Sequence, residues 1–513
     1  MTRRVTSPLE FFGHIMGEDR KIARWDKIVD YFNLLAKESD RIQVTDMGPS
    51  TEGNPFLLAV ISSPANLAKL DHYRGINLQI SDPRGLTEEA IKALVKEGKA
   101  VVVQSMSMHA TEIGGTQMAP ELAYDLLVGE CEETQRILDN VIFLMVPCFN
   151  PDGQIMVTDW YDRWVGTEYE GCSLPWLYQK YTGHDNNRDA FMLNIVESQY
   201  MAKLLFRDWK PQAYQDHHHM GSYGARLFVA PYSEPIRPDG DPLVWRELSW
   251  YGAHMAYRLE EAGKTGILNA GQYPGWGHYG FHWITIHHNI AGMLTESASA
   301  KLATPLYIHP TQLEGTREKS MPEYAAQTNF PHPWEGGWWR LRDIVEQQKI
   351  SAWALLDIMA RNKDTLLWNA YLKATRQTER GEEGKPYAYV IEPEQHDPLT
   401  ARKLVQLLLN QGIEVKVADQ PFKANGKTYP AGTYVVMLQQ PKRGLIKALL
   451  GRTLFPLNSF NTGLDGSPRV FDCATDTVAE YMGVDVQPIE KKFAGAFAVV
   501  HELAQTVVPA VSG

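Results

Sequence analysis

The sequence predicts an α/β protein whose main domain is built on a largely parallel or mixed sheet. Short apolar runs recur along its first part, and helix-spaced segments separate them. Four of the runs end in polar residues of catalytic type. The first helix-spaced segment is 22–38, IARWDKIVDYFNLLAKE. A Gly53-Asn54 turn leads into a strand at 55–62, PFLLAVIS. Further strands are expected at 100–108 (AVVVQSMSM), 141–149 (VIFLMVPCF), 212–216 (QAYQD) and 291–297 (AGMLTES), with helices at 118–128, 190–208 and 244–262.

The remainder divides at a turn-rich, charged break, GEEGKP at 381–386. Residues 1–338 form the main domain, 339–383 a helical linker, and 384–513 a second, smaller α/β domain in which YAYVIE, IEVKVA and TYVVML alternate with the helix-like TARKLVQLLLNQG. The net charge of −11 gives no electrostatic footprint for nucleic acid or an anionic membrane. No apolar run approaches the ~18–20 residues of a membrane span, and the start does not read as a signal peptide. The chain as written is expected to be cytoplasmic, or periplasmic or secreted if a leader has been removed. Cys131, Cys148, Cys172 and Cys473 form no disulfide framework and no C-x-x-C pattern. Oligomeric state is not encoded in any of these features.

In open α/β sheets the ligand site lies beyond the carboxyl ends of the strands. The run at 100–108 leads to His109 and Glu112, the run at 141–149 to Asn-Pro-Asp-Gly at 150–153, the run at 212–216 to DHHHMGS, and the last to Glu296. Taken alone, H-x-x-E at His109/Glu112 reads as a strand-to-helix turn with a capping Glu. Taken with the other strand ends it reads as half of a metal site. Catalytic zinc takes three protein ligands, of which His₂Glu is one set, and a second, unligated carboxylate then serves as the base. A positioned Arg would select a substrate carboxylate. The reversed zincin signature fails, because Ile113 stands where it needs a His.

Over residues 20–335 the sequence resembles the zinc metallocarboxypeptidase family, the carboxypeptidase A-like hydrolases. The residues that carry this are His109/Glu112, N-P-D-G at 150–153, GHDNNRD at 183–189 for the family's G-x-D-x-N-R-N, a D-x-H strand end, and Thr295/Glu296. DHHHMG and YPGWG (273–277) are similar to a bacterial branch that reads D-x-H-x-M-G and Y-P-G-x-G and often carries an appended C-terminal domain. The resemblance implies a mixed eight-stranded sheet flanked by helices. It implies one zinc ion held by His109, Glu112 and a later His, a terminal carboxylate held by Asn187 and Arg188, and Glu296 as general base. Strand alternation puts Asp216 and His218 on one face and His217 and His219 on the other, and the branch register selects His218. Asp216 is then structural or a partner for a ligating imidazole.

Departures from the pattern matter. Thr111 replaces an Arg, and Asp189 replaces the last Asn of N-R-N, placing a negative charge next to Arg188 in sequence. Arg163 is the nearest candidate for the oxyanion-stabilising Arg, or else a surface residue stacked on Trp160 or Trp164. Tyr273 and Tyr279 both qualify as the Tyr that closes over substrate. His278, His282, His287 and His288 suit a cleft wall or, less readily, a second metal. The expected activity is zinc-dependent hydrolysis of peptide or amide bonds, most simply removal of C-terminal residues. Alternatives are a deacylase or amidase acting on N-acyl amino acids or peptidoglycan peptides, and a binding module without chemistry.

Overall fold

The computed structural model describes residues 4–180, 182–183, 185–316, 320–453, 455–463, 465–468 and 477–503. His184 of the GHDNNRD motif and Cys473 lie outside the described residues. The strands of the main sheet are β1 (Ile42–Pro49), β2 (Pro55–Ile61), β3 (Ala100–Met106), β4 (Val141–Val146), β5 (Ala213–Met220), β6 (Leu227–Val229), β7 (Ile267–Asn269) and β8 (Ala291–Ala298). They lie in the order β1-β2-β4-β3-β5-β8-β6-β7. The centre, β4-β3-β5-β8, is parallel, while β1/β2, β2/β4 and β6/β8 are antiparallel. The sheet is therefore mixed and eight-stranded, as the resemblance implies.

The central strands read as continuous apolar runs because both faces are covered. Alternation splits them cleanly. Leu57, Ala59, Ile61, Val102 and Phe143 join one buried cluster with α1 (Trp25–Glu38), α2 (Gly114–Val128), α4 (Pro242–Glu261) and α6 (Leu341–Arg361). Helix α3 (Pro151–Trp164) adds Val157 and Tyr161 to that cluster. Phe56, Leu58, Val60, Val101, Val103 and Ile142 join a second cluster on the opposite face. That cluster contains Leu204–Phe206, Phe281 and Ile284 of α5 (Phe281–His287), and also Leu404, Val405, Leu408, Leu445 and Leu449 from the C-terminal part.

The segment read as a helical linker is two long helices, α6 and α7 (Lys363–Glu383). Helix α6 lies against the sheet: Gln104 Nε2 donates to Ala352 O at 3.1 Å, and Gln348 Nε2 to His218 O at 3.3 Å. Beyond it, β9 (Ala388–Ile391), β10 (Lys416–Ala418), β11 (Tyr434–Met437), β12 (Gln487–Ile489) and β13 (Phe497–Val499) form a five-stranded antiparallel sheet in the order β12-β9-β11-β10-β13. Helices α8 (Pro398–Asn410) and α9 (Arg443–Leu450) supply the leucines that reach the main sheet. Among the described residues no helix is long and apolar enough to cross a membrane.

Candidate active site and metal centre

Parallel pairing carries β3, β4, β5 and β8 to one rim. After β3 the chain turns sharply through Ser107, at φ 50°. The Ser107 hydroxyl fixes the turn, donating to Glu112 O at 2.8 Å and accepting from Thr116 N at 3.1 Å. This turn presents His109 and Glu112. Glu112 does not cap α2, whose first residues lack a side-chain cap. Strand β5 runs on through the His triplet to Met220, longer than the sequence indicates. In its pairing with β8, His218 stands opposite Glu296.

The donor atoms of His109, Glu112 and His218 converge. His109 Nδ1 is 2.9 Å from Glu112 Oε1, His218 Nδ1 is 3.0 Å from Glu112 Oε2, and the two Nδ1 atoms are 3.3 Å apart. Zinc–nitrogen bonds of ~2.0–2.1 Å in a tetrahedron require nitrogens ~3.3–3.4 Å apart. Each outer imidazole nitrogen meets a carboxylate: His109 Nε2 lies 2.8 Å from Asp185 Oδ1, and His218 Nε2 lies 2.8 Å from Asp216 Oδ2. Asp216 is held in turn by the Ser105 hydroxyl at 2.7 Å. Such outer carboxylates fix the ring orientation of ligating histidines. The donor set and its support fit zinc.

Glu296 is 7% exposed on β8. Burial, aided by the like charge of Glu112 and opposed by His218, pushes its carboxyl up to about 8. Glu112 moves the other way, because His109 and His218 outweigh the effect of burial and hold it well below the usual carboxylate range. Two glutamates in one cleft are thus set apart by their neighbours, one a fixed anion and one whose proton is exchanged near neutral pH. Asn187 is buried, with Nδ2 3.3 Å from His218 Nε2. Arg188 donates to Asn187 O at 2.9 Å, lies 3.4 Å from Asp185 Oδ2, and stacks over Trp283 at 5.4 Å.

The zinc carboxypeptidase family model matches residues 28–232. Over these residues, less than half of its length, the chain is similar to the zinc carboxypeptidase family. The match takes in His109, Glu112, Arg188 and His218 and ends before Glu296. Among solved structures, the chain is similar to a metallo-carboxypeptidase from Burkholderia cenocepacia at 13% identity and TM-score 0.40, covering 64% of this chain and 66% of that one. It is also similar to a Pseudomonas aeruginosa metallo-carboxypeptidase in complex with (2-guanidinoethylmercapto)succinic acid, at 14% identity and TM-score 0.41, covering 66% and 68%. A third is bovine thrombin-activatable fibrinolysis inhibitor in complex with tick carboxypeptidase inhibitor, at 12% identity and TM-score 0.39, covering 67% and 99%. The chain thus spans just under two thirds of the Burkholderia protein. No curated protein matches it significantly.

Other expected residues fall in different places. Arg163 is not brought to the site. It is exposed in the last turn of α3 and stacks on Trp164 at 5.0 Å. The helix begins beside Met108, and its rise of ~1.5 Å per residue carries Arg163 ~20 Å away. Tyr273, not Tyr279, is the tyrosine near Glu296: it is buried, the Glu296 charge acts on it, and its hydroxyl accepts from Gln272 Nε2 at 3.2 Å. Tyr279 packs against Phe191, His278 and Trp283. The Asp189 carboxylate does not oppose Arg188. It accepts from Asn194 N at 2.9 Å and Ile195 N at 3.0 Å, clamping the next turn.

N-P-D-G proves to be scaffolding. Asn150 caps α3 by accepting from Gly153 N at 2.9 Å, and Asp152 accepts from Glu52 N at 2.9 Å and Asn54 Nδ2 at 2.7 Å. A Cβ on Gly153 would stand 2.1 Å from Tyr178 O, so a glycine is required there. Of the four further histidines, His282 approaches the site, within 4.8 Å of Asp216 and His218. His278 accepts from Arg237 at 2.9 Å, His287 lies 3.3 Å from Gly277 O, and His288 faces the C-terminal part. Sequence reasoning missed the role of Asp185. Its signal was present, as the Asp of G-x-D-x-N-R-N.

Proposed function

We infer that the protein is a zinc-dependent metallocarboxypeptidase that removes C-terminal residues from peptides. The observation that carries this is the in-register pairing of His218 with Glu296, which sets a proton acceptor directly beside the His/Glu/His donor set. Zinc held by His109, Glu112 and His218 would polarise the scissile carbonyl and acidify the attacking water. Glu296 accepts the proton of that water and delivers it to the departing amine. Its raised carboxyl, close to neutrality, suits both transfers. Tyr273 stands close enough to Glu296 to close over a bound substrate. Arg188 and Asn187 take the substrate's terminal carboxylate, the guanidinium supplying a planar fork set by Trp283 and Asp185. Arg163 has no part in this arrangement.

The test compares short N-acylated peptides ending in a free carboxylate with their C-terminal amides, before and after chelation and with zinc restored. Hydrolysis of the free acids alone, lost on chelation and regained with zinc, is expected. Equal cleavage of the amides would favour a deacylase or amidase instead, and no cleavage by zinc-loaded protein would sink the reading.

A further inference from the structure

A second buried polar cluster lies where the C-terminal part meets the main sheet. Lys442, the residue before α9, is 5% exposed, and its Nζ donates to His288 Nδ1 at 2.5 Å. His288 Nε2 donates to Gln411 Oε1 at 3.1 Å, and Gln411 Nε2 donates to Ala190 O at 2.7 Å. The His288 tautomer is fixed by this chain, so Nδ1 is an acceptor and the ring carries no charge. Lys210 lines the same cavity as Lys442 and His288, together with Asn289, Pro441 and Ser81. The cavity measures about 20 Å³. By that measure one water needs ~10–15 Å³, so a single atom-sized ligand fits and a larger one does not.

The charges around this cavity do not balance. Neither Lys210 nor Lys442 has a carboxylate partner among the described residues. The acid that bears on both is Asp82, which Arg84 already holds through two contacts of 2.8 Å. Arg84 also reaches Glu414 at 3.0 Å, and Glu414 is shared with Lys416 at 3.5 Å. Lys210, Lys442, Arg84 and Lys416 thus stand against Asp82 and Glu414. A buried ammonium without a counter-charge costs several kcal/mol and either loses its proton or recruits an anion. Consistent with that stress, burial drives Lys442 far down from the ordinary lysine range.

We propose that the cavity between Lys210, Lys442 and His288 binds one small monovalent anion of the halide class, which joins the C-terminal part to the main sheet. With the anion bound, Lys442 keeps its proton, spends one hydrogen on His288 and has two left for the anion. The cavity lies by Pro211 and Ile290, before β5 and β8 begin, whereas His218 and Glu296 stand near the other ends of those strands.

The experiment uses the full chain and bromide as probe. Thermal unfolding is followed as sodium bromide replaces sodium gluconate at constant ionic strength. A rise in Tm of ~2–4 °C that grows with the logarithm of bromide concentration is expected for the native protein. Lys442→Met, which keeps length without charge, should lose the dependence. The same dependence in native protein and variant, or none in the native protein, would overturn the proposal. Should the variant not fold, anomalous diffraction from native crystals grown in bromide decides: a bromide peak beside Lys442 Nζ supports the site, and water at that position refutes it.

Discussion

Two buried polar regions of this molecule carry opposite charge, and each points to a ligand of opposite sign. At the rim of the main sheet, Glu112, Asp185, Asp216 and Glu296 face Arg188 and two imidazoles that must be neutral to bind a metal. The surplus is negative and suits a dication. At the contact with the C-terminal part, Lys210 and Lys442 face a neutral His288, and the nearest acids are already engaged. The surplus there is positive. The comparison teaches that a buried cluster is understood by its charge balance before its residue types. Histidine sits in both, in a donor set that could hold a metal in one and as a link in a hydrogen-bond chain in the other.

The sharpest way to break the first half of this comparison is His218→Ala. It removes a donor from the centre of the set, so zinc content by mass spectrometry should fall to background and activity with it. His219→Ala should keep the metal, because His219 reaches Glu112 through its backbone N–H. Next in size is Glu296→Gln, which removes one negative charge but no ligand. Zinc and substrate affinity should persist while kcat drops on the order of 10²–10⁴-fold in steady-state assays. Zinc loss in that variant would reverse the roles given to the two glutamates. Asp185→Asn should weaken zinc by roughly 10–100-fold in competition with a chelator, because Asp185 orients His109 without touching the metal.

A smaller effect is expected at the anchor. Arg188→Lys keeps the charge and loses the fork, so KM for a free carboxylate should rise about tenfold, with an amidated analogue unchanged. Smallest of all is Arg163→Ala, which should alter kcat/KM by less than about twofold, because the side chain is exposed and distant. The two regions are also separable: stripping zinc should leave the bromide effect on Tm in place.

Much of this was legible in the sequence. The continuous apolar runs marked the central strands, and the polar residue after each marked the rim, because a parallel sheet delivers successive strand ends to one edge. Strand parity divided the His triplet between two faces, and the D-x-H-x-M-G register of the resemblance selected the face that holds His218 and Asp216. What was not legible depended on distance through space. The rise of a helix that starts at Asn150 carries Arg163 out of reach, which motif order cannot reveal. Tyr273 and Tyr279 differ by six positions in one loop, and packing alone separates them. Asp189 looks like a charge beside Arg188, yet its oxygens are taken up by the backbone of the next turn. The place of α6 was hidden as well, because a long amphipathic helix reads alike whether it connects domains or covers a sheet.

The apolar cluster that runs from β2, β3 and β4 into α8 and α9 has a consequence for expression and unfolding. Leu404, Val405, Leu408, Leu445 and Leu449 complete the cover that Leu204–Phe206, Phe281 and Ile284 begin on one face of the sheet. A fragment cut after the main sheet would bare that face to solvent and self-associate rather than stay dispersed. The two parts should therefore melt as one calorimetric transition, and the C-terminal part acts as a folding subunit of the sheet it covers, not as a detachable passenger.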